Sequence, residues 1–290
     1  MKIAISGASG FLGRNLVGVL CNEHTLSFIR KEDIEFRERL ESALAAANVF
    51  VHLAGVSSVG RCEEDIFSAY TVNSALSGYL AELYFRINPE GHMIFASTAH
   101  VYSSTIASPI LVNAPVGPGN VYGRSKAAAE KILQQVAVSY GGRLTICRLF
   151  NVSHASQDGD YFMLSIYRQI SSSDREVTEV VVGNLEIYRD FSPLQDSIEK
   201  LREIIDRDCN QPFVDFVNIC SGIPLKLNDI LKELANQLGR EIEIKVDMKK
   251  VRKSEQHSIY GIQSSFNLNR IQMSQDEYLK YFIGKFLEQL

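Results

Sequence analysis

The sequence predicts an α/β protein, a doubly wound, Rossmann-like parallel sheet with a smaller C-terminal α/β domain. Three observations predict it. Short apolar runs alternate with longer segments of helical period through the first half of the chain. A short N-terminal strand runs straight into a glycine-punctuated turn, Gly7-Ala8-Ser9-Gly10-Phe11-Leu12-Gly13, and Tyr122 and Lys126 stand four residues apart at the head of an alanine-rich helical stretch. Strand and helix in alternation imply parallel pairing with right-handed crossovers.

The apolar runs Ile3 to Ser6, Thr25 to Ile29, Val49 to Leu53, Met93 to Ser97 and Leu144 to Leu149 read as strands. Leu12 to Leu20, Phe36 to Ala47, Asp65 to Ile87 and Ser125 to Tyr140 carry helical periodicity between them. Only about 18 residues separate Arg30 from Val49, so the extra strand often found in the first mononucleotide half is expected to be short or missing. Beyond Asn151 the pattern loosens into a polar stretch at Ser153 to Asp160, a strand-like Glu179 to Val182 and a helix from Leu194 to Arg207. Val214 to Ile219 reads as a late strand of the main sheet. The tail supplies a helix at Leu227 to Leu238, a strand at Glu241 to Val246 and a last helix at Gln275 to Leu290. These elements place a dinucleotide-binding domain at 1–160, with returning segments near 190–220, and a substrate domain at 161–189 and 221–290.

With 290 residues and 46% hydrophobic content the chain can bury a large core. A formal charge of −4 gives no basic surface for a phosphate backbone, so nucleic acid is not an expected partner. The cysteines Cys21, Cys62, Cys147, Cys209 and Cys220 are odd in number and lack CxxC spacing, which argues against disulfides and against a metal site. Without a signal-like segment ahead of the glycine turn or an apolar run of membrane-spanning length, a soluble cytoplasmic protein is expected.

The glycine turn opens the first helix, where backbone N–H groups and the helix dipole converge on the place a pyrophosphate would take. Gly7, Gly10, Phe11, Leu12 and Gly13 are the candidate contacts. Where NAD-preferring folds carry an acidic residue after the second strand, this chain has Arg30-Lys31, two cations suited to a 2′-phosphate. NADP(H) is therefore the expected cofactor; NAD(H) stays open as the alternative, since Glu32 and Asp33 follow at once. Ser97 and Thr98 close a strand at the edge where such sheets bind ligands, so a hydroxyl there can hold a substrate oxygen. Positions i and i+4 share a helix face, so the Lys126 ammonium can lower the pKa of the Tyr122 phenol from about 10 and suit it to proton transfer with a carbinol oxygen.

These motifs, with Val51-His52-Leu53-Ala54-Gly55, Val72-Asn73, Phe95 to Tyr102 and Arg148-Leu149-Phe150-Asn151-Val152, resemble in order those of the extended short-chain dehydrogenase/reductases, the NAD-dependent epimerase/dehydratase family acting on nucleotide sugars. Val182 to Phe191 and Asn218-Ile219-Cys220-Ser221-Gly222 are similar to the branch of the GDP-4-dehydro-6-deoxy-D-mannose reductases and GDP-mannose dehydratases. The resemblance implies Thr98, Tyr122 and Lys126 as the catalytic trio, Leu53, Ala54, Gly55, Asn73 and Ser97 along the cofactor, and Asn151, Arg189 and Arg252 on the nucleotide diphosphate. Departures gather around the expected sugar pocket: Ser103 stands where the family has Gly, and Asn151-Val152-Ser153-His154 lacks the usual Tyr-Gly-Pro.

The family's dehydratases place a carboxylate just after the Ser/Thr, where this chain has Ala99-His100. That favours plain reduction of a keto group. His100 fills a slot that carries chemistry in relatives, and an imidazole there can exchange a proton with a sugar carbon. The expected activity is NADP(H)-dependent reduction of a nucleotide-diphosphate 4-keto-6-deoxy sugar. The alternatives are an epimerase with tightly bound NAD(P) and, from a different class, a dinucleotide sensor without catalysis. His154 reads as a loop histidine and His52 as a hydrogen-bonded core residue. The apolar content of Tyr70 to Phe85 and Ser125 to Val138 predicts a homodimer.

Overall fold

The computed structural model describes residues 1–157, 161–172, 177–207, 211–251, 256–262 and 272–290. They form two compact units, the first being Met1–Ile106, Val112–Leu149 and Ile198–Ile219, the second Ala107–Leu111, Phe150–Ser197 and Cys220–Leu290.

Through the first half of the chain the elements are β1 (Lys2–Ser6), α1 (Phe11–Leu20), β2 (Thr25–Ile29), α2 (Arg37–Ala45), β3 (Val49–His52), α3 (Val59–Glu64), α4 (Ile66–Tyr70), α5 (Leu76–Ile87), β4 (His92–Thr98), α6 (Val121–Tyr140) and β5 (Arg143–Leu149). The chain then passes through β6 (Asn151–Ser153), α7 (Phe162–Ser171), β7 (Val177–Val182), β8 (Tyr188–Pro193), α8 (Leu194–Ile205) and β9 (Phe213–Ile219). It ends with β10 (Pro224–Lys226), α9 (Leu227–Gln237), β11 (Glu241–Val246), β12 (Ser258–Ile259) and α10 (Gln275–Leu287).

In the first unit six strands pair in the order β2-β1-β3-β4-β5-β9. All of these pairings are parallel. The order confirms the missing extra strand of the first half: a 3₁₀ turn at Lys31–Asp33 and α2 connect β2 to β3. Helices on both faces bury the central strands, so every residue of β3 and β4 is buried. Leu80, Leu83, Tyr84 and Phe85 of α5 and Leu133 and Ala137 of α6 share a core with Phe50, Phe95 and Ile146 of the sheet.

One sequence expectation is borne out and one corrected here. The span Asp65 to Ile87 is helical throughout: Asp65 caps α4, and a π-helical turn at Thr71–Ala75 carries α4 into α5 without a break. Helix α6 starts at Val121 rather than Ser125, because Asn120 accepts the Gly123 amide hydrogen as its N-cap.

The second unit holds a small sheet ordered β10-β8-β12, with β6 beside β8, and a parallel pair of β7 and β11. Its core joins Ile166 and Ile170 of α7, Ile230 and Leu234 of α9 and Tyr278, Phe282 and Phe286 of α10. Among the described residues, no helix is long and apolar enough to cross a membrane.

Candidate active site

The carboxyl ends of β1, β2, β3 and β4 feed the phosphate turn, Arg30, Leu53 and His100 in turn, so one edge of the sheet gathers the predicted cofactor and catalytic residues. Gly7 leaves β1 with φ +74°, and a Cβ on it would stand 2.6 Å from the Ala54 amide nitrogen. A Cβ on Gly13 would overlap the Gly7 carbonyl oxygen, so this glycine sets how closely α1 packs on β1. Between them, a Cβ on Gly10 would stand 3.2 Å from the Gly7 carbonyl oxygen, a tight contact with backbone. Gly7 and Gly13 thus serve a tight turn and close helix packing, two of the three glycine roles of dinucleotide-binding turns. Helix α1 has neither a side-chain cap nor an acidic residue in its first turn.

Arg30 and Lys31 are both exposed just past β2. Asp33 turns back, accepting the Arg30 backbone N–H at 2.9 Å and lying 3.9 Å from the Arg39 guanidinium. Gly55, Asn73 and Lys126 converge: a Cβ on Gly55 would meet Asn73 Oδ1 at 2.9 Å and Lys126 Nζ at 3.1 Å.

Asn73 belongs to the π-helical turn and is fully buried. Its Oδ1 accepts the Val56 N–H at 2.8 Å, and its Nδ2 donates to the Val56 carbonyl at 3.0 Å and to Ser125 Oγ at 2.9 Å. Ser125 donates onward to the Tyr122 carbonyl, and Ser74 donates to the Ser125 carbonyl, which fastens the turn to the start of α6. Behind it, Ser77 Oγ donates to the Asn73 carbonyl at 2.7 Å. His52 Nε2, 2.8 Å away, therefore donates to Ser77, and its Nδ1 accepts from Ser6 at 2.5 Å. Burial, with the Lys126 charge adding to it, lowers the His52 pKa to about 3, so it is a neutral core bridge between the strand before the phosphate turn and the helix carrying Asn73.

Tyr122 occupies the first turn of α6 and Lys126 the next; both are buried, at 8% and 4% exposure. Lys126 Nζ donates to the Ala96 carbonyl at 2.8 Å and lies 4.5 Å over the Phe95 ring. Burial brings its pKa down to about 8, opposed by Glu130 and Cys62. The His100 ring meets Tyr122 edge-on with centroids 5.7 Å apart. Thr98 Oγ1 accepts the His100 N–H at 3.2 Å, leaving its hydroxyl hydrogen for a second partner.

Ser97 does not share that role. Its hydroxyl donates to Glu130 Oε1 at 2.5 Å, and Glu130 is held by Arg148 through Nε at 3.0 Å and Nη2 at 2.7 Å. The guanidinium lies between the Tyr102 and Phe216 rings, at 4.7 and 4.6 Å. Sequence reasoning missed Glu130 and Asn120; the second had a signal, an N-cap residue type three positions before Gly123.

In the second unit Asn151 Nδ2 donates to the Asp190 carbonyl at 2.8 Å, and Arg189 Nη1 donates to the carbonyls of Tyr188 at 2.8 Å and Gln256 at 3.0 Å. The buried Asp190 carboxylate binds Ser221 N–H at 2.7 Å, Ser221 Oγ at 2.8 Å and Gly222 N–H at 3.0 Å, clasping β8 to the turn after β9. Burial raises its pKa against those bonds. Arg252 lies outside the described residues. His154 Nδ1 accepts the Ser156 N–H at 2.9 Å.

The model of the "NAD dependent epimerase/dehydratase family" matches residues 3–219. The GDP-6-deoxy-D-mannose reductase of Pseudomonas aeruginosa is 26% identical over 90% of this chain and 88% of its own. The GDP-6-deoxy-D-talose 4-dehydrogenase of Aggregatibacter actinomycetemcomitans is 25% identical over 84% and 83%. Among solved structures, RMD from Pseudomonas aeruginosa complexed with NADPH superposes with a TM-score of 0.81 at 23% identity, over 100% of this chain and 99% of that one. A UDP-glucose 4-epimerase of Thermotoga maritima with UDP-glucose gives 0.81 at 22%, over 99% of each.

Proposed function

Since the chain belongs to the NAD-dependent epimerase/dehydratase family and is an NAD(P)-dependent oxidoreductase of the extended short-chain type, we propose that it is an NADP(H)-dependent reductase of a nucleotide-diphosphate 4-keto-6-deoxy sugar. One observation carries this reading: Lys126 is buried one turn beyond Tyr122, at the strand end that presents Thr98 and His100. The dinucleotide, when bound, supplies the hydride. Thr98 and Tyr122 hold the keto oxygen, and Tyr122 delivers the proton that turns it into a hydroxyl. The Lys126 charge stabilises the phenolate that remains. The glycine turn and α1 take the pyrophosphate, Arg30 and Lys31 the 2′-phosphate, and Leu53, Ala54, Gly55 and Asn73 line the cofactor. Asn151, Arg189 and Arg252 are assigned to the nucleotide diphosphate. The two GDP-sugar relatives, which together align over most of the chain, support a guanosine nucleotide and a 6-deoxy sugar.

The epimerase reading, in which tightly bound NAD(P) oxidises and re-reduces the same carbon, would use Tyr122 and Lys126 in the same places. NADPH turnover separates the two. A reductase oxidises one NADPH for each sugar converted, whereas an epimerase leaves the NADPH absorbance unchanged after a cycle. We expect stoichiometric consumption, a kcat loss of about 10²- to 10⁴-fold in Tyr122→Phe, and a higher kcat/KM for NADPH than for NADH that Arg30→Ala erodes. A strong NADH preference would refute the 2′-phosphate assignment.

A further inference from the structure

Asn120 touches both the helix that carries Tyr122 and the imidazole of His100. Its Oδ1 accepts the Gly123 amide hydrogen at 2.8 Å. A backbone amide can only donate, so the oxygen of this carboxamide faces the helix and the NH₂ group faces away. That NH₂ group lies 3.2 Å from His100 Nδ1. An amide nitrogen does not accept, so it donates and Nδ1 accepts. A neutral imidazole has one hydrogen, and with Nδ1 accepting it sits on Nε2. An imidazolium would set an N–H against the NH₂ group, donor facing donor.

The unit is tightly built. A Cβ on Gly123 would overlap the His100 carbonyl oxygen, so the first turn of α6 lies directly on the His100 backbone. The cap therefore fixes the position and the protonation pattern of the ring together.

We infer that Asn120 is a positioning residue that holds His100 as the Nε2–H tautomer, so that the Nε2 of His100 is a hydrogen-bond donor and not a base. This rests on the proposed placing of keto reduction at Thr98, Tyr122 and Lys126. Epimerisation beside the keto group needs a base: a proton would pass from carbon to Nε2 while the C–H electron pair moved to form an enolate, its oxygen held by Thr98 and Tyr122. An Nε2 that already carries hydrogen cannot take that proton, so the tautomer selects against epimerisation at the carbons flanking the carbonyl.

Asn120→Asp tests this. Aspartate keeps an oxygen for the Gly123 N–H and remains a good N-cap, but it presents Nδ1 with an acceptor. The hydrogen must move to Nδ1, leaving Nε2 basic, the arrangement of Asp–His pairs in general-base catalysis. Long-range ¹H–¹⁵N spectra of histidine-labelled protein, with six histidines to resolve and His100→Gln to assign the signal, report the tautomer directly. They are recorded about two pH units above the ordinary imidazole pKa of about 6.5. We expect Nε2–H in the wild type and Nδ1–H in Asn120→Asp; an Nδ1–H wild type, or a variant with the wild-type pattern, overturns the inference. In D₂O, with a nucleotide 4-keto-6-deoxy sugar, the wild type should leave the carbons flanking the carbonyl unexchanged, while Asn120→Asp exchanges them about 100-fold faster. Rapid wild-type exchange at those carbons overturns it too. Failure to reduce any such sugar would remove the proposed function, and the tautomer spectra would still decide the role of Asn120.

Discussion

His52 and His92 are buried imidazoles with hydrogen-bonded nitrogens, His92 Nε2 standing 2.8 Å from Thr145 Oγ1. Burial lowers both to a pKa of about 3, with nearby cations adding to the effect. Unfolded, each binds a proton below about 6.5; folded, neither does until about pH 3. Between these values the unfolded chain holds more protons, so the stabilisation is complete above pH 6.5 and is lost as pH falls toward 3. Each histidine can contribute a slope of up to about 1.4 kcal/mol per pH unit in that window. Urea unfolding at pH 7 and pH 4.5 should show a marked loss for the wild type and a shallower one for His92→Gln, whose amide can still reach Thr145; identical pH slopes would count against this. Lys126 acts in another window: lowered from 10.5 to about 8, it makes the fold gain stability as pH rises between those values. His52 was legible as a core residue because it lies inside an apolar strand. The buried Glu130 was not, because a glutamate in an alanine-rich helix reads the same whether it faces water or Arg148.

Helix α1 contains two glycines, one closing the phosphate-turn motif and one beyond it, whose surroundings differ. Gly13 sits where a Cβ would meet the Gly7 and Ala8 backbone, whereas Gly18 is exposed with nothing within 4 Å of a Cβ. Gly13→Ala should therefore cost about 1–3 kcal/mol through overpacking against backbone that cannot yield and weaken NADPH binding. Gly18→Ala should stabilise by about 0.5–1 kcal/mol through helix propensity. Denaturation midpoints of the two variants check this, and equal shifts would refute the difference. Such local contacts mark what periodicity cannot reach. The strands of the main sheet were legible because buried parallel strands are unbroken apolar runs between glycine, proline and polar breaks. The π-helical turn was not, since the apolar pattern of Tyr70 to Phe85 carries through it and only the inward bonds of Asn73 and Ser74 reveal the extra residue. Strands β6, β10 and β12 have two or three residues each, too few to show any period. Asp190 likewise gives no sign in sequence that it clasps Ser221 and Gly222 rather than pairing with Arg189.

At the scale of the molecule the apolar surplus of α4, α5 and α6 raises the question of assembly. Most of it is used within the first unit: α5 and α6 both pack on the sheet, and Gly78 brings them so close that a Cβ there would lie 2.7 Å from Ile132. What remains is exposed: Phe67 at 82%, Val138 at 72%, Ile66 at 52% and Tyr79 at 43%. Four large apolar side chains on the outside of three helices are available to an interface. We propose that α5 and α6 pair with their copies across a two-fold axis, so that each patch covers its own equivalent. Sedimentation at micromolar concentration should then give twice the 32.5 kDa mass of the chain. Phe67→Glu with Val138→Glu would set like charges against each other on both sides of the interface and yield monomers. Because both side chains are already in water in the single chain, the variant should keep the wild-type circular dichroism. A monomeric wild type, or a doubly substituted protein that stays dimeric, would show that these helices face solvent and that their apolar content serves the core alone.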